Sequence, residues 1–310
     1  MVSRDKRQSG KRAHACEGCP RECGADRAAG PRGFCRSGDG FEIASICLHR
    51  GEEPVISGER GICNVFFSHC NLQCAYCQNF QISRNDSPVR SMSLDDAVSA
   101  VTRLLDGGAA AVGFVSPSHM IAQMRSIVEA LHSRAYRPVV VLNTNAYDRS
   151  GVIEALDGIV DVYLRDFKYM DHSLALELSL AWDYPDVALA ALREMYRQKG
   201  ANLVLREDGI AASGLVIRHL IIPGHVENSK AVLRAIAEEL SPSVHVSLMS
   251  QYYPPSPIAA HPYLGRTITR SEYDEVLDEL ERLGFHRGWV QELESGESYR
   301  PDFTKPHPFE

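Results

Sequence analysis

Three cysteines, Cys70, Cys74 and Cys77, stand at the spacing C-x3-C-x2-C inside the stretch that runs from Phe66 to Asn79. They follow directly on an apolar run, Ile62 to Phe67, that reads as a strand. Three thiolates on one short loop can hold three irons of a cubane 4Fe–4S cluster. A complete protein ligand set would be four thiolates, so one iron is left open to a substrate or cofactor. Half of a zinc knuckle and plain buried thiols are the competing readings. Zinc sites commonly present C-x2-C pairs with a second pair or histidines further on, and this spacing differs from that. Tyr76, inside the second gap, and Gln78-Asn79, after the last thiol, complete the local chemistry.

A second set of thiols precedes the first. Cys16-x2-Cys19-x3-Cys23-x11-Cys35 is threaded with Gly18, Pro20, Gly24, Gly30, Pro31, Gly33 and Gly38. A segment this short and polar cannot build its own core, and such units are usually stapled by a metal. Four thiolates suit either a structural zinc or an iron–sulfur centre, and free thiols are the alternative. Cys47 and Cys63 are left over, Cys63 inside the first candidate strand where a thiol packs like a small hydrophobe. All nine cysteines lie in the first quarter of the chain. Nothing indicates export, so clustered thiols point to metal in a reducing, cytoplasmic setting rather than to disulfides.

The elements that must position these residues are legible in the rest of the chain. At 310 residues, 44% hydrophobic and 24% charged, the length suits one large α/β domain and a small one. No stretch approaches the ~18 apolar residues of a membrane span, and the polar N-terminus lacks the apolar region of a signal peptide. A formal net charge of -7 gives no reason to expect a nucleic-acid partner. Candidate strands are Ile62–Phe67, Ala111–Ser116, Pro138–Leu142, Val160–Arg165, Leu215–Ile221 and Val244–Met249, with helical periodicity between them. Ser93, with Asp95 and Asp96 behind it, is placed to cap one such helix. Alternation of this kind argues a parallel sheet with helical crossovers, and six repeats are too few for a closed eight-stranded barrel. The expected organisation is a disordered basic tail over 1–12, a cysteine-rich metal-binding segment over 13–60, a partial (β/α)6 barrel over 61–255, and a C-terminal helix and surface tail over 256–310.

Parallel α/β sheets bind ligands at the C-terminal ends of their strands. Those ends carry Ser116, Ser118 and His119; then Asn143, Thr144 and Asn145; then Asp166 and Lys168; then Arg218. The hydroxyls and amides offer neutral hydrogen bonds. Asp166 and Lys168 are two apart on a strand and share a face, as a structural ion pair or as a site for a zwitterion.

Taken together, the chain resembles the radical S-adenosylmethionine (SAM) superfamily, whose open barrel also has six such units. Phe66–Asn79 resembles the cluster loop of pyruvate formate-lyase activating enzymes, with two Phe before the first Cys and an aromatic before the third. Asn143-Thr144-Asn145 resembles that group's Asp-Thr-Asn-Gly, and Val160–Lys168 its Asp-x-Lys segment. The branch described as pyruvate formate-lyase activating enzyme-like proteins is more similar still. It shares Cys19-Pro20-Arg21-Glu22-Cys23, the Gly-Glu-Glu-Pro-x-Ile-Ser-Gly run from Gly51 to Gly58, Cys77-Gln78-Asn79, Ser116 to His119, and Arg218 to Leu220. The resemblance spans about residues 16 to 290.

It implies that Cys70, Cys74 and Cys77 bind a 4Fe–4S cluster whose open iron chelates SAM. It also implies that the reduced cluster cleaves SAM to methionine and a 5′-deoxyadenosyl radical that abstracts hydrogen. Tyr76, Asn79, Ser116, Ser118, His119, Asn143, Thr144, Asn145, Asp166, Lys168 and Arg218 are the expected SAM-site residues. Lys168 is also placed in the chemistry, and Cys16, Cys19, Cys23 and Cys35 in a second metal site. The implied partners are an electron donor such as flavodoxin or ferredoxin, and a substrate that is a protein, a peptide or a small molecule.

The departures are specific. The activating enzymes' Gly-Gly-Glu, which holds the SAM ammonium, is replaced by Ser116-Pro117-Ser118-His119, and Asn143 replaces an acid. A non-catalytic zinc or iron–sulfur module and an electron carrier are the competing functions. The substrate, and whether SAM is consumed or regenerated, stay open.

Overall fold

Runs of alternating apolar residues bounded by turns set the sheet, and amphipathic runs between them set the helices. In the computed structural model, which describes residues 16–28, 33–293, 295 and 300–309, the chain runs in this order. It opens with β1 (Phe41–His49), α1 (Pro54–Ser57), β2 (Ile62–Phe67), α2 (Phe80–Ser83), β3 (Ser91–Met92), α3 (Leu94–Asp106), β4 (Ala111–Val115) and α4 (Ile121–Ser133). The middle holds β5 (Val139–Thr144), α5 (Ser150–Glu154), β6 (Val162–Asp166), α6 (His172–Ser179), α7 (Tyr184–Lys199) and β7 (Val204–Leu205). It closes with β8 (Ala211–Leu220), α8 (Val226–Glu239), β9 (His245–Met249), α9 (Arg270–Arg282) and β10 (Gly288–Val290). The tail expected over 1–12 lies outside the described residues.

One sheet runs in the order β10-β9-β8-β6-β5-β4-β2-β1-β3, with β7 paired beside β8. From β2 to β10 the neighbours on this path are parallel, and β1 and β3 add antiparallel strands at the far edge. The path ends on β3 and β10 without closing, so the barrel is open. All six candidate strands are present in this parallel set.

Three strands were not expected: β1, the two-residue β3 and β10. β1 lies in the segment read as cysteine-rich, yet its alternating FEIASICLH pairs antiparallel with β2, Cys47 opposite Asn64 and Leu48 opposite Cys63. β10 is a three-residue strand that begins on Gly288, where a Cβ would lie 1.9 Å from the Val246 carbonyl oxygen. Only glycine permits so close a pairing with β9.

The helix starts follow local chemistry. Ser93 accepts a hydrogen bond from the Asp96 amide, and Thr269 and Glu272 form a reciprocal capping box on α9. Pro185 sits in the first turn of α7 rather than breaking a helix, because a first-turn amide needs no acceptor.

Strand alternation divides the core. Cys63, Val65 and Phe67 of β2 point to the helices, into the large core with Val98, Met124 and Tyr163. Ile62 points the other way, into a smaller core with Ala111, Val141, Val162, Leu164 and Val216 on the concave face. Ile56 of α1 packs into this second core. The short helix is thus a plug for the floor of the open barrel. Asn64 also faces inward, and a Cβ on Gly113 of β4 would lie 2.2 Å from its Oδ1, so the neighbouring strand must be bare there.

Candidate active site

Above the plug, the concave face and the loop after β2 enclose a cavity of about 370 Å³. Cys70, Cys74 and Cys77 line it, with Tyr76 and Asn79 of the same loop. From the strand ends come Ser116, Asn143, Asn145, Asp166, Lys168 and Arg218. The chain turns sharply to make this mouth. His69 and Ser116, both non-glycine, adopt left-handed backbone angles of φ 67° and 47° directly after β2 and β4.

Each sulfur has a polar neighbour. Asn145 Nδ2 donates to Cys70 Sγ at 3.2 Å and to Asn71 Oδ1 at 2.8 Å. Ser179 Oγ donates to Cys74 Sγ at 3.0 Å, and Ser83 Oγ lies 3.1 Å from Cys77 Sγ. Tyr76 and Tyr169 share a hydroxyl hydrogen bond of 2.6 Å, and Tyr169 reaches Ser179 Oγ at 2.7 Å, tying the middle of the loop to the donor on Cys74. Burial pushes the Cys70 thiol up to about 12 and Cys77 to about 11, and raises Cys74. Lys168 opposes the rise at Cys74 and Cys77.

Metal ligation requires thiolates, so a cationic group would repay the cost of burying them. Soft sulfur donors backed by neutral hydrogen bonds and one lysine fit an iron–sulfur cluster held by Cys70, Cys74 and Cys77. Among the described residues, no group of three or more His, Cys, Asp or Glu side chains is gathered as a ready metal cage.

The charged residues form one network. Lys168 Nζ donates to Asp166 Oδ2 at 2.7 Å, and Arg218 Nη1 to Glu52 Oε2 at 2.9 Å. Arg218 Nε lies 3.6 Å from both Asp166 Oδ1 and Glu53 Oε1. Burial works against every charge here, but the pairs win. Glu52 is held down to about 2 by Arg218 and His49, Asp166 is lowered by Lys168 and Arg218, and Lys168 is raised by Asp166 and Cys74.

Three of the expected site residues do not line the cavity. Thr144 faces away from Asn143 and Asn145 and donates to Asp148, with Ser118 Oγ 3.3 Å away. His119 shares its Nε2 with the Ser68 carbonyl at 3.0 Å, and burial lowers it to about 4. All three stand behind the wall. Strand alternation alone separates Thr144 from its neighbours.

Residues the sequence did not assign complete the wall. Glu52 and Glu53 enter from the turn before α1, and Gln251, Gln291 and Phe309 from the C-terminal part. The tail expected to run over the surface instead docks. The Phe309 ring stacks on His49 at 3.9 Å between centroids, and Phe303 packs edge-on against Phe66 at 5.1 Å. Two aromatics among prolines were the available signal. Burying such rings outweighs leaving them in water.

Burial raises Cys19 to about 11, with Cys16, Cys35 and Cys23 each pushing it further. Arg21 fastens this segment to the back of the thiol loop. Its Nε donates to the Asn71 carbonyl at 2.8 Å, and its guanidinium lies 3.8 Å over the Phe34 ring.

Comparison with known proteins agrees with this architecture. The chain is 27% identical over 273 residues to an uncharacterized protein of Methanocaldococcus jannaschii, covering 86% of this chain and 74% of that one. It is 26% identical over 198 residues to the 7-carboxy-7-deazaguanine synthase of Methanopyrus kandleri, covering 58% of this chain and 75% of that one. No family model matches. Among solved structures, a crystal structure of HydG, a maturase of the FeFe-hydrogenase, superposes with a TM-score of 0.52 at 12% identity, over 76% of this chain and 53% of that one. The HydG of Carboxydothermus hydrogenoformans gives 0.50 at 14% identity, over 76% and 55%. The chain therefore spans about half the length of these solved structures. The chain shares the fold of these structures, an open parallel barrel, and carries its three-thiol loop after the first parallel strand.

Proposed function

We propose that Cys70, Cys74 and Cys77 hold a 4Fe–4S cluster, and that the chain binds SAM in the cavity above α1 and cleaves it reductively. The cluster, when bound, supplies the electron for that cleavage and an iron for the SAM amino and carboxylate groups. The 5′-deoxyadenosyl radical so released takes a hydrogen atom from the substrate. A glycine of a partner protein, a peptide or a small molecule fits that role, and flavodoxin or ferredoxin fits that of electron donor.

The carrying observation is that the three sulfurs open into the same cavity as the polar strand ends. A zinc module or an electron carrier has no use for such a chamber. In this reading Asn145 and Ser179 hold sulfurs in place, while Ser116, Asn143 and the Lys168–Asp166 pair meet SAM. Ser118, His119 and Thr144 brace the wall from behind. Cys16, Cys19, Cys23 and Cys35 hold a second metal that keeps the N-terminal segment folded against the thiol loop.

Anaerobic reconstitution followed by reduction with SAM tests the assignment. The wild-type protein should form 5′-deoxyadenosine and a cluster whose electron paramagnetic resonance signal shifts on adding SAM. The triple Cys70/Cys74/Cys77→Ala variant should show neither. Equal 5′-deoxyadenosine from wild type and variant would sink the reading.

A further inference from the structure

The proposed function gives the acidic pair before α1 no role, yet the pair forms part of the chamber. The two glutamates differ. Glu52 is satisfied: it accepts from Arg218 at 2.9 Å, from Asn64 Nδ2 at 2.9 Å and from Asn143 Nδ2 at 3.4 Å. Glu53 is not. It is 9% exposed and lines the cavity, and among the described residues its Oε2 has no hydrogen-bond partner, as is also true of Arg218 Nε and Asp166 Oδ1. Its other oxygen lies 3.6 Å from Arg218 Nε, beyond hydrogen-bond reach. A buried carboxylate oxygen without a donor is costly, and folds retain such groups where a ligand supplies the donor.

Charge along the wall points the same way. Glu52, Glu53 and Asp166 face the cations Lys168 and Arg218. The lining is thus short of positive charge. Position then separates the two ends. Asp166 links Lys168 to Arg218, and Arg218 links to both glutamates. Glu53 therefore stands at the opposite end of this chain of ion pairs from Lys168. The cationic part of SAM would be at the thiols, because its amino group and sulfonium adjoin the open iron in the reading above.

We propose that the chamber selects a substrate carrying a cationic nitrogen, an alkylammonium or guanidinium, and that Glu53 is the group that receives it. The inference rests on the radical SAM reading and adds the substrate class. The Gly51–Gly58 turn is then a specificity element as well as a plug.

Affinities of 1-pentylammonium, pentylguanidinium, 1-pentanol and valerate for the reconstituted, SAM-bound protein test this, measured by ligand-observed nuclear magnetic resonance. Wild type should prefer the two cations to the isosteric alcohol by about ten- to a hundred-fold, the worth of one charge-assisted hydrogen bond. Glu53→Gln should erase most of that preference, with SAM affinity and melting temperature read on the same sample. Equal affinity for cation and alcohol in wild type overturns the inference, and that comparison needs no variant. A Glu53→Gln protein that keeps the cation preference but loses SAM affinity also overturns it, by assigning Glu53 to SAM. The two readings fail separately. Normal 5′-deoxyadenosine with no cation preference removes only the substrate class, whereas a cation preference without 5′-deoxyadenosine removes only the radical chemistry.

Discussion

Lys168 is the residue on which most of the site's charge balance turns. It is the cation that offsets burial at two thiols, and it holds Asp166 at 2.7 Å. Lys168→Ala should weaken SAM binding about ten- to a hundred-fold, on the order of 1.5–3 kcal/mol, while iron and sulfide content stay near wild type. A purely structural pair would instead lower the melting temperature and leave the SAM affinity of the folded protein intact. Isothermal titration and a melting curve on one variant decide between them. Asp166 and Lys168 were legible because a strand puts residues two apart on one face. Ser118 and Thr144 misled for the converse reason: a polar residue at a strand end is a candidate, but only alternation says which side it faces. Glu53 was invisible, since its destination depends on β1 pairing with β2 and dropping α1 into the barrel.

Among the elements, the parallel strands were readable because each is an apolar run ending in polar residues, with a helix of clear period after most of them. β1 was hidden by its company. Its alternation is plain, but Cys47 and the preceding cysteines drew the segment into a metal-binding reading. That N-terminal segment is nonetheless coupled to the site. Arg21 bonds the thiol loop at Asn71, and Asn85 joins the Phe34 carbonyl at 2.7 Å to the Cys70 amide at 3.2 Å. A Cys16/Cys19→Ala double variant should therefore lose one metal equivalent, zinc or a second cluster's iron, while retaining the SAM-responsive cluster. It should also speed amide exchange over residues 70–79. Unchanged metal content would identify these residues as free thiols.

At the scale of the whole molecule, stability should fall on acidification in two stages. His119 and His219 are buried, each with one ring nitrogen that has no partner among the described residues, and burial lowers both from 6.5 to about 4. Between these values the unfolded chain takes up protons that the folded chain refuses. Stability is thus fully present above pH 6.5 and is lost toward pH 4, by at most roughly 3 kcal/mol per histidine. Glu52, held at about 2 against an ordinary 4.5, extends the loss below pH 4.5. Urea titrations at pH 7, 5.5 and 4.5 should show a falling midpoint, and His219→Gln should flatten the first stage. A midpoint flat from pH 7 to 4.5 would contradict the burial of both rings.

The docked tail has a consequence in time rather than in space. A ribosome releases the thiol loop early, and the strands that surround it follow in order. Pro301 and Phe309, which join the wall, and Phe303, which packs on Phe66, follow after all of those strands. Until they arrive the nascent chamber is a bowl without its final side. If the sulfurs hold a cluster, as proposed above, it could be handed to them during that interval, before the Phe309 ring takes its place on His49.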